Sequence, residues 1–210
     1  MDLDIVGKAF AYPEREIVRR HGPDGYTDYT SYKPWLRDEF WFRCVYCLER
    51  ERWTPDPAGS FSVDHFQSKS KYGSLINDYD NLFYSCVRCN RAKLTNTGVL
   101  NPCETIYGRH LLIDRSGHII GLTLDGNIHI NILQLNDEDR VRRRGGFIAL
   151  MDYLMQHGDA QARSFIEYLM GYPNDLPDLG SLRPPTNFRP DGTKESAYYL
   201  RESGNLMRIY

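Results

Sequence analysis

Two pairs of cysteines, Cys44-Val45-Tyr46-Cys47 and Cys86-Val87-Arg88-Cys89, are the residues whose type and spacing speak most directly of chemistry. Each C-x-x-C unit reads as a metal knuckle, and two knuckles supply the four thiolates of one closed tetrahedral site. So soft a donor set suits a structural zinc ion, with bonds of about 2.3 Å and no open coordination position. The 38 residues from 48 to 85 separate the knuckles, more than in a compact zinc ribbon. They must form an inserted substructure that returns the chain to the metal. Cys103 is left over and reads as a small, partly buried thiol.

The insert contains Asp64-His65 and Asn81, and Asn90 directly follows the last knuckle cysteine. An Asp-His pair alone says little; framed by two knuckles and followed by two asparagines, it forms a specific combination. The order CVYC, VDH, YDNL and CVRCNRAK, over residues 33–100, resembles the HNH endonuclease family in its four-cysteine zinc-binding branch. That resemblance implies an α+β fold with a ββα-metal, treble-clef-like core: a hairpin whose first strand ends in the Asp-His pair, then a helix carrying the last motif residue. It implies that Asp64 and His65 are catalytic, that Asn81 ties backbone across the hairpin loop, and that Asp64 and Asn90 hold a catalytic Mg²⁺ or Mn²⁺. The implied reaction is hydrolysis of DNA phosphodiester bonds, leaving 5′-phosphate and 3′-hydroxyl ends. Two positions depart from the family pattern. Asn90 stands where histidine is commoner, giving an HNN signature, and Gln67 replaces a proline common two residues after the motif histidine. The resemblance extends to small stand-alone bacterial HNH proteins, including nuclease subunits of Septu-like anti-phage systems, and so implies a defence role beside an ATPase or sensor. A competing reading keeps the zinc but not the catalysis: a treble-clef module that binds nucleic acid or protein, or an interaction subunit silent alone.

The residue types make sense for that reaction on physical grounds as well. Phosphodiester hydrolysis needs an activated water, stabilised charge on the phosphoryl oxygens and help for the leaving alkoxide, and one hard divalent cation serves the last two. Asp64 and Asn90 offer hard oxygens, and so sparse a set fits Mg²⁺ or Mn²⁺, which keep several waters. His65, with an ordinary pKa near 6.5, is then the base for the attacking water. Neighbours on a strand point to opposite faces, so Asp64 and His65 reach one phosphate only where the strand ends. Arg88, Arg91 and Lys93, on the presumed helix after the second knuckle, offer DNA-phosphate contacts or a solvated helix face. Arg140, Arg142, Arg143 and Arg144 offer a backbone grip or an exposed basic turn. His21, His110, His118, His129 and His157 lack ligand spacing and read as packing or surface residues.

The elements that must position these groups follow from periodicity. Pro13–Arg20 reads as a short helix, and KPWLRDEFWFR from Lys33 as a helix with Pro34 in its first turn. Phe61–Phe66 alternates as a strand does. In HLLIDRSGHIIGLTLDGNIHINILQL, three apolar runs broken by Ser116-Gly117 and Asp125-Gly126 predict an antiparallel meander. Two helices follow: Asp139–Met155, capped by Asn136 or Asp137 and interrupted at Gly145-Gly146, and a second capped by Asp159 and running through Met170. The division expected is an arm (1–32), the nuclease core (33–100), a sheet-plus-helix appendage (101–172), and a Pro-rich linker with a terminal segment (173–210). The apolar Tyr198, Tyr199, Leu200, Leu206, Met207 and Tyr210 in that last segment fit docking on a partner, self-association or packing on the chain's own domain.

Bulk properties set the outer bounds. Lys and Arg number 26 against 28 Asp and Glu, a net charge of −2, so nucleic-acid contact must be local rather than a coat of positive charge. An aromatic content of 13% excludes a disordered chain. The opening MDLDIVGKAF carries no long apolar run, which points to a cytoplasmic protein with no membrane span, in whose reducing surroundings paired cysteines are metal ligands rather than disulfides.

Overall fold

The computed structural model describes residues 5–182, 184, 186–207 and 209. Along the chain its helices are α1 (Ile5–Ala9), α2 (Lys33–Glu39), α3 (Pro57–Ser60), α4 (Val87–Lys93), α5 (Leu124–Ile132), α6 (Glu138–His157), α7 (Ala160–Met170) and α8 (Ala197–Glu202). Its strands are β1 (Pro23–Asp24), β2 (Phe61–His65), β3 (Leu82–Cys86), β4 (Leu111–Ile113), β5 (Ile119–Gly121) and β6 (Thr186–Asn187). Among the described residues they pair as three two-stranded antiparallel sheets, β1 with β6, β2 with β3 and β4 with β5. Two units result, neither contiguous in sequence. One holds residues 18–97 and 172–207, the other 5–17 and 98–171. Residues of the expected arm thus fall in both units, and the C-terminal segment belongs with the cysteines. No described helix is long and apolar enough to cross a membrane.

In the cysteine-bearing unit, Pro34 occupies the first turn of α2, where its missing N–H leaves no helix bond unmade. Trp35 and Leu36 are buried from that helix. The chain then reverses through Trp41 and Phe42, both with positive φ (51° and 53°), a conformation costing an L-residue roughly 1–2 kcal/mol. Full burial of Phe42 against Tyr172, Leu176, Ala197, Tyr198 and Leu206 offsets that strain. The hairpin β2–β3 pairs from Phe61↔Cys86 to His65↔Leu82. Phe61 stacks on Tyr84 at 5.1 Å, and Phe83 meets the rings of Phe40, Tyr46 and Phe66. At the end of β3 the sulfur of Cys86 accepts the N–H of Cys89 and caps α4. Strand, strand and helix form the ββα core that the motif order implies.

Residues 13–20 form no helix. Their polar groups serve tertiary contacts: the Arg19 guanidinium lies over the rings of Phe40, Tyr79 and Phe83 and donates to the Leu82 carbonyl (2.6 Å), and the N–H of Arg20 goes to the Glu39 carboxylate (2.7 Å). The C-terminal segment packs on its own unit. The Asp38 carboxylate accepts the N–H of Ala197 at the start of α8 (2.7 Å), while Tyr199 and Met207 stay exposed; Tyr210 lies outside the described residues.

In the other unit the third predicted strand is instead α5. Thr123 accepts the N–H of Gly126 (3.1 Å), so Asp125-Gly126 lies in a capped first helical turn rather than a hairpin turn. Asp137 caps α6; Asn136 exchanges hydrogen bonds with both backbone groups of Ile119 (2.8 and 2.7 Å). α6 runs unbroken through Gly145-Gly146. Gly145 is required by proximity: a Cβ there would lie 2.5 Å from the carbonyl oxygen of Ser116 in the β4–β5 turn. Asp159 caps α7 through Ala162 (2.7 Å). The arginine cluster splits. Arg140 donates to Leu133 O, and Arg144 to Gly117 O and Leu135 O, both from buried positions, so these two tie the fold and are not available as a phosphate grip. Arg142 is exposed and pairs with Glu138 and Asp139.

Candidate functional site

Cys44, Cys47, Cys86 and Cys89 are all buried, and their sulfur atoms lie within 4.8 Å of one another. The Cys47 and Cys86 sulfurs stand 3.7 Å apart, close to the edge of about 3.8 Å that a tetrahedron with 2.3 Å zinc–sulfur bonds requires. Burial and the neighbouring thiols push the Cys44 thiol well above its ordinary range. The first knuckle is built by Leu48, whose N–H closes on Cys44 O (3.0 Å) with φ at 62°. The second is the β3–α4 junction.

Asp64 and His65 are the last two residues of β2, so the strand ends where both groups are needed. Asp64 is 2% exposed. The Tyr46 hydroxyl donates to its Oδ2 (2.5 Å), and the Lys93 ammonium lies 3.2 Å from its Oδ1. Burial pushes the Asp64 carboxyl up, while the charge of Lys93 and the two hydrogen bonds pull it back. His65 places Nε2 2.9 Å from the Ile76 carbonyl, and its ring meets Tyr29 edge-on at 4.6 Å. A carbonyl can only accept, so Nε2 carries the proton and Nδ1 of the neutral ring keeps its lone pair. Burial lowers the His65 pKa from its ordinary value, opposed by the Ile76 bond and reinforced by Lys69 and Lys93.

Asn81 spans the loop between the strands. Its Oδ1 accepts from Gln67 N (2.7 Å) and its Nδ2 donates to Gln67 O and Leu75 O (both 3.1 Å). Its own carbonyl accepts from Phe66 N (2.8 Å), so one residue fixes both ends of the segment that follows His65. Asn90, on α4, donates through Nδ2 to Ser62 Oγ (2.9 Å) and Val63 O (3.3 Å), leaving its amide oxygen as the group with lone pairs to offer. Each Asp64 oxygen accepts one of the hydrogen bonds above, and a carboxylate has about four lone-pair sites. The donor chemistry of Asp64 and Asn90 therefore fits a hard divalent ion.

Arg88 and Arg91 are exposed on α4, as a phosphate-contacting face requires. Lys93 is not: it is fully buried, bonded to Asp64 and to the His65 carbonyl (2.6 Å). Its position in the last turn of α4 faces β2 rather than solvent. Sequence reasoning did not find Tyr46, Tyr29 or Ser62. Tyr46 is an interior residue of a C-x-x-C unit, where spacing rules are silent about the middle positions, and Tyr29 comes from a segment remote in sequence.

Residues 44–95 match the HNH endonuclease family. This segment is similar to an HNH endonuclease domain. Over 103 residues the chain is also 30% identical to the Septu protein PtuB of Bacillus thuringiensis. That match covers 47% of this chain and 38% of PtuB, so the chain spans well under half the length of the relative it matches. The matched segment runs from the first knuckle to just beyond α4, and it encloses Asp64, His65, Asn81 and Asn90.

Proposed function

We propose that this chain is a metal-dependent endonuclease that hydrolyses DNA phosphodiester bonds, with His65 as general base. The observation that carries this reading is the Nε2 contact of His65 with the Ile76 carbonyl, which leaves Nδ1 as the proton-accepting nitrogen beside the end of β2. In the reaction Nδ1 takes a proton from the attacking water, while Asn81 keeps the loop that carries Ile76 in place. Asp64 and Asn90 would hold a Mg²⁺ or Mn²⁺ ion that stabilises charge on the phosphoryl oxygens and the leaving alkoxide. The four cysteines hold a structural zinc, with no open position for substrate. Arg88 and Arg91 supply local positive charge for the DNA backbone, needed because the net charge of the chain is −2.

The identity with a Septu protein supports a place in bacterial anti-phage defence, working with a partner protein. The division into a nuclease core at 33–100 and a sheet-plus-helix appendage at 101–172 remains our functional reading, with the first carrying the chemistry. Incubating the purified protein with supercoiled plasmid, with Mg²⁺, Mn²⁺ or chelator, tests the activity. Nicked or linear product that requires the divalent ion is the expected result; plasmid intact in every metal, with the cysteine-bound zinc in place, favours the non-catalytic treble-clef reading.

A further inference from the structure

Asp64 is held by residues from both halves of the cysteine staple. Lys93 reaches its Oδ1 from the helix that follows the second knuckle, and Tyr46 reaches its Oδ2 from within the first. Tyr46 is fully buried, its ring packs edge-on to Phe83, and Phe83 is the cross-strand partner of Asp64. The knuckle that carries Tyr46 has little freedom. Cys44 N bonds to Glu49 O (2.8 Å), Val45 N to Tyr84 O (3.0 Å) and Leu48 N to Cys44 O (3.0 Å), so the peptide on each side is pinned. The backbone that carries Tyr46 is therefore held in place together with Cys44 and Cys47.

We propose that Tyr46 is a positioning residue: its hydroxyl, carried on the first cysteine knuckle, sets the orientation of the Asp64 carboxylate and so couples the cysteine-held metal to the binding of the catalytic ion. This inference rests on reading Asp64 as a ligand of that ion. A carboxylate that loses one of its outer hydrogen bonds is held less firmly in its orientation, and partners of this kind usually contribute about 10- to 100-fold to metal affinity or activity.

The test uses the full zinc-loaded chain. Mn²⁺ binding is measured by electron paramagnetic resonance of free Mn²⁺ for wild type, Tyr46→Phe and Asp64→Asn, with zinc content and thermal unfolding followed in parallel. Plasmid cleavage across a Mn²⁺ titration is read on the same samples. Tyr46→Phe should keep its zinc and fold, bind Mn²⁺ about tenfold more weakly, and recover most of its cleavage at saturating Mn²⁺. Wild-type Mn²⁺ affinity in Tyr46→Phe, with binding weakened in Asp64→Asn, would overturn the proposal alone. Equal binding by wild type and Asp64→Asn would overturn the reading of Asp64 and the proposal with it. Zinc lost from Tyr46→Phe would also overturn it, because the tyrosine would then serve the staple rather than the carboxylate. Weakened Mn²⁺ binding in a protein that cleaves no DNA would support the proposal and sink the nuclease reading.

Discussion

Among the described residues the chain builds two antiparallel hairpins and uses them in opposite ways. In β2–β3 every residue but Ser62 is buried, so both faces of a short ribbon are covered. In β4–β5 the burial alternates, with Leu112 and Ile120 exposed opposite one another. A ribbon covered on both faces cannot leave its polar residues to water. Asp64 takes Tyr46 and Lys93, Lys93 takes the His65 carbonyl, and Asn90 takes Ser62 and Val63. The second hairpin leaves its turn polar groups at the surface, where Asp114 accepts from Ser116 and His118. The difference teaches where chemistry is affordable: only a buried ribbon can hold a carboxylate, an imidazole and an ammonium in one fixed arrangement.

The largest effect that would break this comparison is loss of the staple. Cys86→Ser removes one of four thiolates from a site whose metal binding is folding free energy, of order 10 kcal/mol for structural zinc. Hydrogen exchange should then lose protection across residues 61–65 and 82–86 while residues 111–113 and 119–121 keep theirs. Protection lost equally from both hairpins would show that the second depends on the first.

Next in size is the contrast between buried and exposed ion pairs. Lys93→Met leaves the Asp64 carboxylate buried with one partner fewer, an imbalance worth about 3 kcal/mol in urea unfolding. Arg142→Ala, which removes exposed pairs with Glu138 and Asp139 on α6, should change stability by no more than about 0.5 kcal/mol. Similar losses from the two would contradict the account of why the hairpins differ.

The smallest effect sharpens the comparison through pH. Burial opposes the charge on Asp80, but two hydrogen bonds from Arg189 and the charges of Arg189 and Arg19 outweigh it and hold the carboxyl below its ordinary value of 3.8. A carboxyl lowered in the folded state adds stability above its unfolded pKa, and that contribution disappears as pH falls through the folded value. Arg189→Ala should therefore lower stability slightly at pH 7 and not at pH 2, since Asp80 is partly exposed and screened. An equal loss at both pH values would assign Arg189 a packing role instead.

How much of this could be read from the residues depends on how local the cause is. The knuckles, the end of β2 at His65, and the caps at Asp137 and Asp159 all rest on neighbours a few positions apart, and spacing reveals them. The helix α5 was hidden because LTLDGNIHINIL carries both an Asp-Gly pair and β-branched residues, and only the Thr123 cap and the burial of His129, Ile130 and Leu133 decide for a helix. Residues 13–20 carry helical periodicity, yet Glu39 and the rings around Arg19 recruit their polar groups from about 20 and more positions away. The burial of Lys93 and the Tyr46–Asp64 bond are of this second kind. Nothing in C-V-Y-C says where the tyrosine hydroxyl goes until β2 is folded beside it.

The most direct test of the central claim is cleavage of supercoiled plasmid by wild type and His65→Ala at saturating Mn²⁺, with zinc content and thermal unfolding matched. The account predicts that His65→Ala retains its zinc and fold and cleaves about 10²- to 10⁴-fold more slowly, the usual contribution of a positioned base. Cleavage at the wild-type rate by a folded His65→Ala protein would contradict it.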